Sequence, residues 1–178
     1  MSTINSQVAW GGCPKIERRL QSFDLNQYLG HWYEIGRARS IPFQKGDCDQ
    51  ATYSLNADGS VRVENTEKKA DGKMITVIGR ATPTSDPFRL QVSFSDSWIG
   101  KLFKGDYQVV DTDYESFTVV YSCSDLYVAR AEFVWILSRT PEISQEKLNE
   151  LTNIIADKTK ISVDTIRFTN QKKEFCGY

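Results

Sequence analysis

One histidine, His31, is all this 178-residue chain has, so a histidine-rich metal site cannot be built from it. Cys13, Cys48, Cys123 and Cys176 are far apart and form no Cys-x-x-Cys pair, a poor spacing for zinc. No apolar run approaches the ~18 residues that a membrane-spanning helix needs. A basic excess is missing too: the net charge is −1 and the pI is near 5.9. Lys and Arg are scattered, with short pairs only at Lys68-Lys69 and Lys172-Lys173. A phosphate backbone therefore meets no basic surface, which argues against nucleic acid as a partner. The chain also lacks a Gly-rich phosphate loop, a βαβ alternation and an Asn-x-Ser/Thr acceptor.

What is present suits one domain with a substantial core, since 40% of residues are hydrophobic and 25% charged. Residues 1–12 are polar and read as a flexible lead, with 13–178 as a single domain. That lead has no apolar h-region, so no signal peptide is visible. Two readings follow: synthesis for the cytosol, or a chain that starts at a mature N-terminus with an added Met. The even cysteine count is compatible with two disulfides in any of three pairings, or with four buried thiols in a reducing compartment.

Asp24 to Leu29 reads as a short turn. Gly30-His31-Trp32-Tyr33 then opens a strand running from Trp32 to Ser40. A glycine before two large aromatics suits a chain that turns sharply and then packs hard. The even positions Trp32, Glu34, Gly36 and Ala38 are expected inward, a bulky-to-small taper that fits a barrel closed at one end. Ile41 to Asp49 reads as a loop. Short alternating runs follow at Ala51–Leu55, Val61–Asn65, Met74–Ala81, Leu90–Phe94, Tyr107–Asp111, Phe117–Cys123 and Ala131–Arg139, with turn signals at Asp58-Gly59 and Asp71-Gly72. This spacing argues for an antiparallel barrel or sandwich. After Pro141 the period changes. Ser144 can cap a helix whose apolar stripe is Leu148, Leu151 and Ile155. Asp164 to Phe168 reads as a final strand and Asn170 to Tyr178 as a tail.

Gly30-x-Trp32-Tyr33, Thr112-Asp113-Tyr114 at a strand end and Arg139 closing the last long strand occur in the order of the three conserved regions of the lipocalins. From about Cys13 to Cys176 the chain resembles that family. Tyr28–Ile35, Ala51–Leu55 and Val120–Cys123 are similar to its apolipoprotein D and insect bilin-binding branch. The resemblance implies an all-β fold, an eight-stranded antiparallel up-and-down barrel with one C-terminal α-helix packed outside. It implies that Arg139 lies across the Trp32 indole at the closed end. It also selects the pairings Cys13–Cys123 and Cys48–Cys176, each closing a loop of over a hundred residues and worth about 4–5 kcal/mol in the chain-entropy account.

By the same resemblance the protein is a secreted carrier of a small hydrophobic ligand: a lipid, steroid, retinoid or linear tetrapyrrole. It needs no cofactor, although a bound lipid or bilin chromophore is compatible with it. Parity from Arg139 turns Leu137, Trp135, Phe133 and Ala131 inward, and Val61, Val63 and Asn65 face them. The ligand set so implied is Tyr53, Val63, Asn65, Phe94, Gln108, Phe133 and Trp135, an apolar cavity with a few polar handles. The bland reading of Trp135 and Phe94 is plain barrel core, and that of Asn65 a surface amide. Before Thr112 this chain has Gln108-Val109-Val110-Asp111 where large apolar residues are common in the branch, so a more polar mouth is expected there. The loop Ser95–Gly105, carrying Trp98, Ile99, Leu102 and Phe103, is also distinctive. The alternative is a lipocalin-type enzyme acting on a lipid or isoprenoid. Its candidate groups are few: His31 falls on an outward position, Glu34 on an inward one where it pairs with a base or faces water, and an isomerase thiol is absent if all cysteines pair.

Overall fold

Each alternating run pairs with the next run in the chain, so the strand order of the whole sheet follows sequence order. The computed structural model describes residues 8–39, 41, 44–94 and 105–178. The strands are β1 (Val8–Trp10), β2 (Gly30–Ala38), β3 (Asp47–Leu55), β4 (Val61–Lys68), β5 (Met74–Pro83), β6 (Arg89–Ser93), β7 (Gly105–Thr112), β8 (Phe117–Leu126), β9 (Ala129–Ser138) and β10 (Ile166–Phe168). From β2 to β9 every neighbour pair is antiparallel, and β9 pairs back onto β2, which closes an eight-stranded barrel. Two short strands extend the seam on either side, β1 on β9 and β10 on β2. Part of the lead expected to be flexible is thus a strand, with Val8 opposite Ala131 and Trp10 opposite Ala129.

The helices are α1 (Leu25–Tyr28), α2 (Gln145–Thr159) and α3 (Lys173–Cys176). Ser144 caps α2 by accepting from the Lys147 N–H at 3.1 Å. Its buried stripe, Leu151, Ile154 and Ile155, packs on the outer wall against Ile35, Val110, Val119, Tyr121, Val134 and Ile136. The inner face of the wall forms a second core of Tyr28, Trp32, Val61, Val63, Val109, Val120 and Leu137. β8 is therefore buried on both faces, which is why Phe117–Cys123 reads as a nearly continuous apolar run.

The closed end is built around Gly30 and Trp32. Asp24 caps α1 by accepting from the Asn26 N–H, and α1 lays Tyr28 under the barrel floor. Gly30 has φ +99°, and a Cβ there would meet Arg139 Nη1 at 3.2 Å. The Arg139 guanidinium stacks 3.6 Å above the Trp32 ring centroid. It also donates to the backbone carbonyls of Gln27, Leu29, His31 and Tyr114. In the Thr112-Asp113-Tyr114 turn, Asp113 accepts from the N–H groups of Ser116 and Phe117, and Tyr114 takes φ +67°. Both disulfides form as the resemblance implied, Cys13–Cys123 and Cys48–Cys176, spanning 110 and 128 residues.

Candidate ligand-binding site

Above the Trp32 floor the barrel holds a cavity of about 180 Å³. Each strand contributes its inward-facing positions. β3 gives Tyr53, Ala51 and Asp49; β4 gives Val63, Asn65 and Glu67; β5 gives Ala81, Val77 and Ile75; β6 gives Leu90 and Val92, with Phe94 just past its end; β8 gives Val120 and Ser122; and β9 gives Leu137, Trp135 and Phe133. Six of the seven residues in the expected ligand set, Tyr53, Val63, Asn65, Phe94, Phe133 and Trp135, line this one space. Phe94 lies over Gly79 so closely that a Cβ on the glycine would come within 2.6 Å of its ring. Gly79 is thus the gap that lets the aromatic fold over the wall.

Gln108 is the exception and corrects the expectation. β7 presents Tyr107 and Gly105 to the cavity. Gln108 points out of the barrel, where its amide donates to Asp106 at 2.7 Å and accepts from Arg18 at 3.5 Å. Asp111 is also outside, paired with Arg19 at 3.2 Å. Both polar residues lie beneath the N-terminal segment, so the β7 wall is not the polar side of the cavity. The expected loop feature with Trp98, Ile99, Leu102 and Phe103 falls outside the described residues.

The polar side is formed by β2, β3 and β4 instead. A bulge between Glu34 and Gly36 shifts the register of β2 against β9, so that Glu34 pairs with Leu137 but Arg37 with Trp135. Gly36 and Ala38, expected inward, face the outside. A Cβ on Gly36 would touch Ile166, Arg167 and Phe168 at 3.1–3.2 Å. Arg37 takes the inward position at 1% exposure. Its Nη1 donates to Glu34, to Asp49 at 3.2 Å and to Thr169 at 3.3 Å; Nη2 reaches the Gly46 carbonyl at 2.9 Å and Nε the Gln44 carbonyl at 3.2 Å. The Gln44 amide bridges onward, donating to Glu34 at 3.2 Å and Asp49 at 3.4 Å and accepting from the Trp135 indole N–H at 2.9 Å. Glu67 accepts from the Gly46 N–H at 2.9 Å and from Lys69. The Gln171 side chain donates to the backbone carbonyls of Glu34 and Asp49 from the tail that Cys48–Cys176 holds down.

The electrostatics follow from burial and from that charge set. Burial pushes the Asp49 carboxyl up to about 7; the Glu34 charge reinforces this, Arg37 opposes it, and Glu67 adds to it. For Arg37, burial works against the charge, but Glu34 and Asp49 outweigh it and its pKa is raised. Deeper down, the Tyr107 hydroxyl lies 2.6 Å from that of Tyr28 and 3.1 Å from that of Tyr53. Burial raises all three phenols, Tyr53 to about 12, so they remain neutral hydrogen-bonding groups.

The family model for a lipocalin-like domain matches residues 23–171. This chain belongs to the lipocalin family. Apolipoprotein D of Bos taurus is 38% identical over 164 residues, 90% of this lipocalin and 83% of that protein. The outer membrane lipoprotein Blc of Citrobacter freundii is 37% identical over 145 residues, covering 79% and 76%. Lobster apocrustacyanin A1 has the same fold, with a TM-score of 0.80 at 22% identity over 97% of this lipocalin and 95% of that chain. Sequence pattern located the apolar lining of the cavity. It missed Arg37, Gln44, Asp49 and Glu67, whose only signal was a set of charges next to apolar strands.

Proposed function

We propose that this lipocalin is an extracellular carrier that holds one small hydrophobic ligand in the barrel cavity. The observation that carries the reading is the cavity itself, lined mainly by aliphatic and aromatic side chains, with a few polar groups gathered on one side. The two disulfides, each joining distant parts of the chain, suit an oxidising compartment. An enzyme acting through a barrel thiol is disfavoured because all four cysteines are in disulfides.

The test is titration with a panel of fatty acids, steroids, retinoids, bilins and long-chain amines, followed by intrinsic fluorescence. Among the described residues Trp135 is the indole on the cavity wall, whereas Trp32 is buried beneath the floor and Trp10 is 82% exposed. Saturable quenching is expected in the wild type and is largely lost in Trp135→Phe. Asn65→Leu keeps the side-chain volume and removes the amide. It is expected to weaken ligands with a carbonyl or hydroxyl at that level by about 1–2 kcal/mol and to leave hydrocarbons unaffected or tighter. If no member of the panel binds, the carrier reading fails. If quenching persists unchanged without Trp135, the assignment of Trp135 to the binding wall is wrong.

A further inference from the structure

A purely hydrocarbon ligand would leave the charged side of this cavity without a partner. Three carboxylates, Glu34, Asp49 and Glu67, line the space with one cation, Lys69, and a second cation, Arg37, is buried behind them, paired with Glu34 and Asp49. With every group ionised, the cavity is one positive charge short. The cations are also already committed. All three guanidinium nitrogens of Arg37 donate to protein acceptors, and Lys69 is paired with Glu67. The carboxylates are not saturated, because each has about four acceptor positions and these have fewer donors than that. Two further polar groups line the same space. The Ser122 side chain is 6% exposed and its hydroxyl has no hydrogen-bond partner among the described residues. The Asn65 amide, one inward step below Glu67 on β4, likewise has none there. The opposite walls are apolar, from Val77 and Ile75 on β5 to Phe133 on β9.

We infer that the ligand is an amphiphile whose polar end is a cation bearing N–H donors, an alkyl or aryl-alkyl amine, seated against Glu34, Asp49 and Glu67 with its apolar body directed to the floor. A fatty-acid carboxylate is the class this cavity turns away, since it would bring a fourth negative charge to a cluster with no uncommitted cation. The inference rests on the carrier reading and names the head group that the carrier selects. Titration supports it in direction. Asp49 faces Glu34 and Arg37 from β2, Glu67 from β4 and Gln44 from the preceding loop, and Lys69 is paired with Glu67. Asp47 is paired with Arg167. Burial and the neighbouring carboxylates hold the Asp49 proton on to about 7. An amine supplies the missing charge that the proton otherwise supplies, so its binding expels that proton and tightens as pH rises through this range.

The experiment compares dodecylamine, dodecanol and dodecanoate as monomers on the native, disulfide-bonded protein, by calorimetry and Trp135 quenching. At about pH 8 the amine is expected to bind about tenfold tighter than the alcohol and about a hundredfold tighter than the carboxylate, an advantage that narrows toward about pH 6. Calorimetry at about pH 6, in buffers of different ionisation enthalpy, should show a proton released with the amine alone. Asp49→Asn should weaken the amine about tenfold, leave the alcohol unchanged and improve the carboxylate. Glu67→Gln, at the edge of the cluster, should shift the ranking in the same sense and serves if Asp49→Asn folds poorly. Equal binding of all three, or a preference for the carboxylate, overturns the head-group inference and leaves the carrier reading standing. A ranking that neither variant alters overturns the inference as well. Saturable binding of none of them removes this inference and counts against the carrier reading itself.

Discussion

Replacing Arg37 with Met should destabilise the protein by about 3–5 kcal/mol, much of a typical domain's stability. The guanidinium is 1% exposed and is the shared partner of Glu34 and Asp49, both almost fully buried. Met keeps the aliphatic stem but leaves two carboxylates facing each other out of water. It also strips the Gln44 carbonyl of its donor and leaves the Gly46 carbonyl to Arg167 alone, so the β2–β3 loop loses part of its anchor to the wall. The deficit should grow with pH, because acid protonates the orphaned carboxyls. Urea unfolding of the variant between about pH 5 and 8 reads this directly. Adding Asp49→Asn to Arg37→Met should restore part of the loss. An Arg37→Met protein as stable as wild type across that range would show that the cluster contributes no net structural constraint.

The wild type carries its own pH signature from the same site. The folded Asp49 pKa is raised above the unfolded value of 3.8 to about 7. In that window the folded state binds the proton and the unfolded state does not. The stabilisation is fully present below the unfolded value and is lost as pH rises through about 7. Asp49→Asn is expected to flatten this part of the stability profile. A wild-type profile that rises through the same window because of Asp49 would contradict the assigned environment.

Trp32→Ala should cost about 3–5 kcal/mol as well, for a different reason. The indole is fully buried at the closed end, donates to the Tyr28 carbonyl at 2.9 Å and carries Arg139 on its face. Alanine leaves a void beneath the floor and removes a sheltered cation–π contact worth about 1–2 kcal/mol. Arg139 would keep its backbone carbonyls but lose the surface that orients it. Trp32 does not line the cavity, so the folded fraction of the variant should bind ligand with an affinity near that of the wild type. Urea unfolding gives the first number and titration of the remaining native protein the second. An unchanged melting temperature with lost binding would move Trp32 from the base of the barrel into the site.

The resemblance chose the barrel over the sandwich, and the period-two alternation, turn signals and helix cap read from the chain determined the strands and the helix after them. These are local properties, because each strand has to bury one face and each tight turn joins neighbours. Residues at the two ends of the resemblance, Gly30-x-Trp32 and Arg139, also located the closed end, since only a glycine at φ +99° lets the guanidinium approach. Strand parity placed Val63, Asn65, Phe133 and Trp135 on the cavity wall. It failed on β2, where one extra residue at the bulge inverts every position beyond Glu34 and brings Arg37 inward in place of Gly36. The inward setting of Gln108 failed on β7, where it is Tyr107 and Gly105 that reach the cavity. The charged end was decided by tertiary structure alone. It joins Glu34 and Arg37 to Gln44, Asp49, Glu67 and the tail residues Thr169 and Gln171, over a hundred positions away. Glu34 was expected on the inward face, but the other charges, taken singly in the sequence, read as solvated surface groups. A buried charge is stable only when its partners surround it, and that arrangement exists only once the barrel has closed and the second disulfide has fixed the tail.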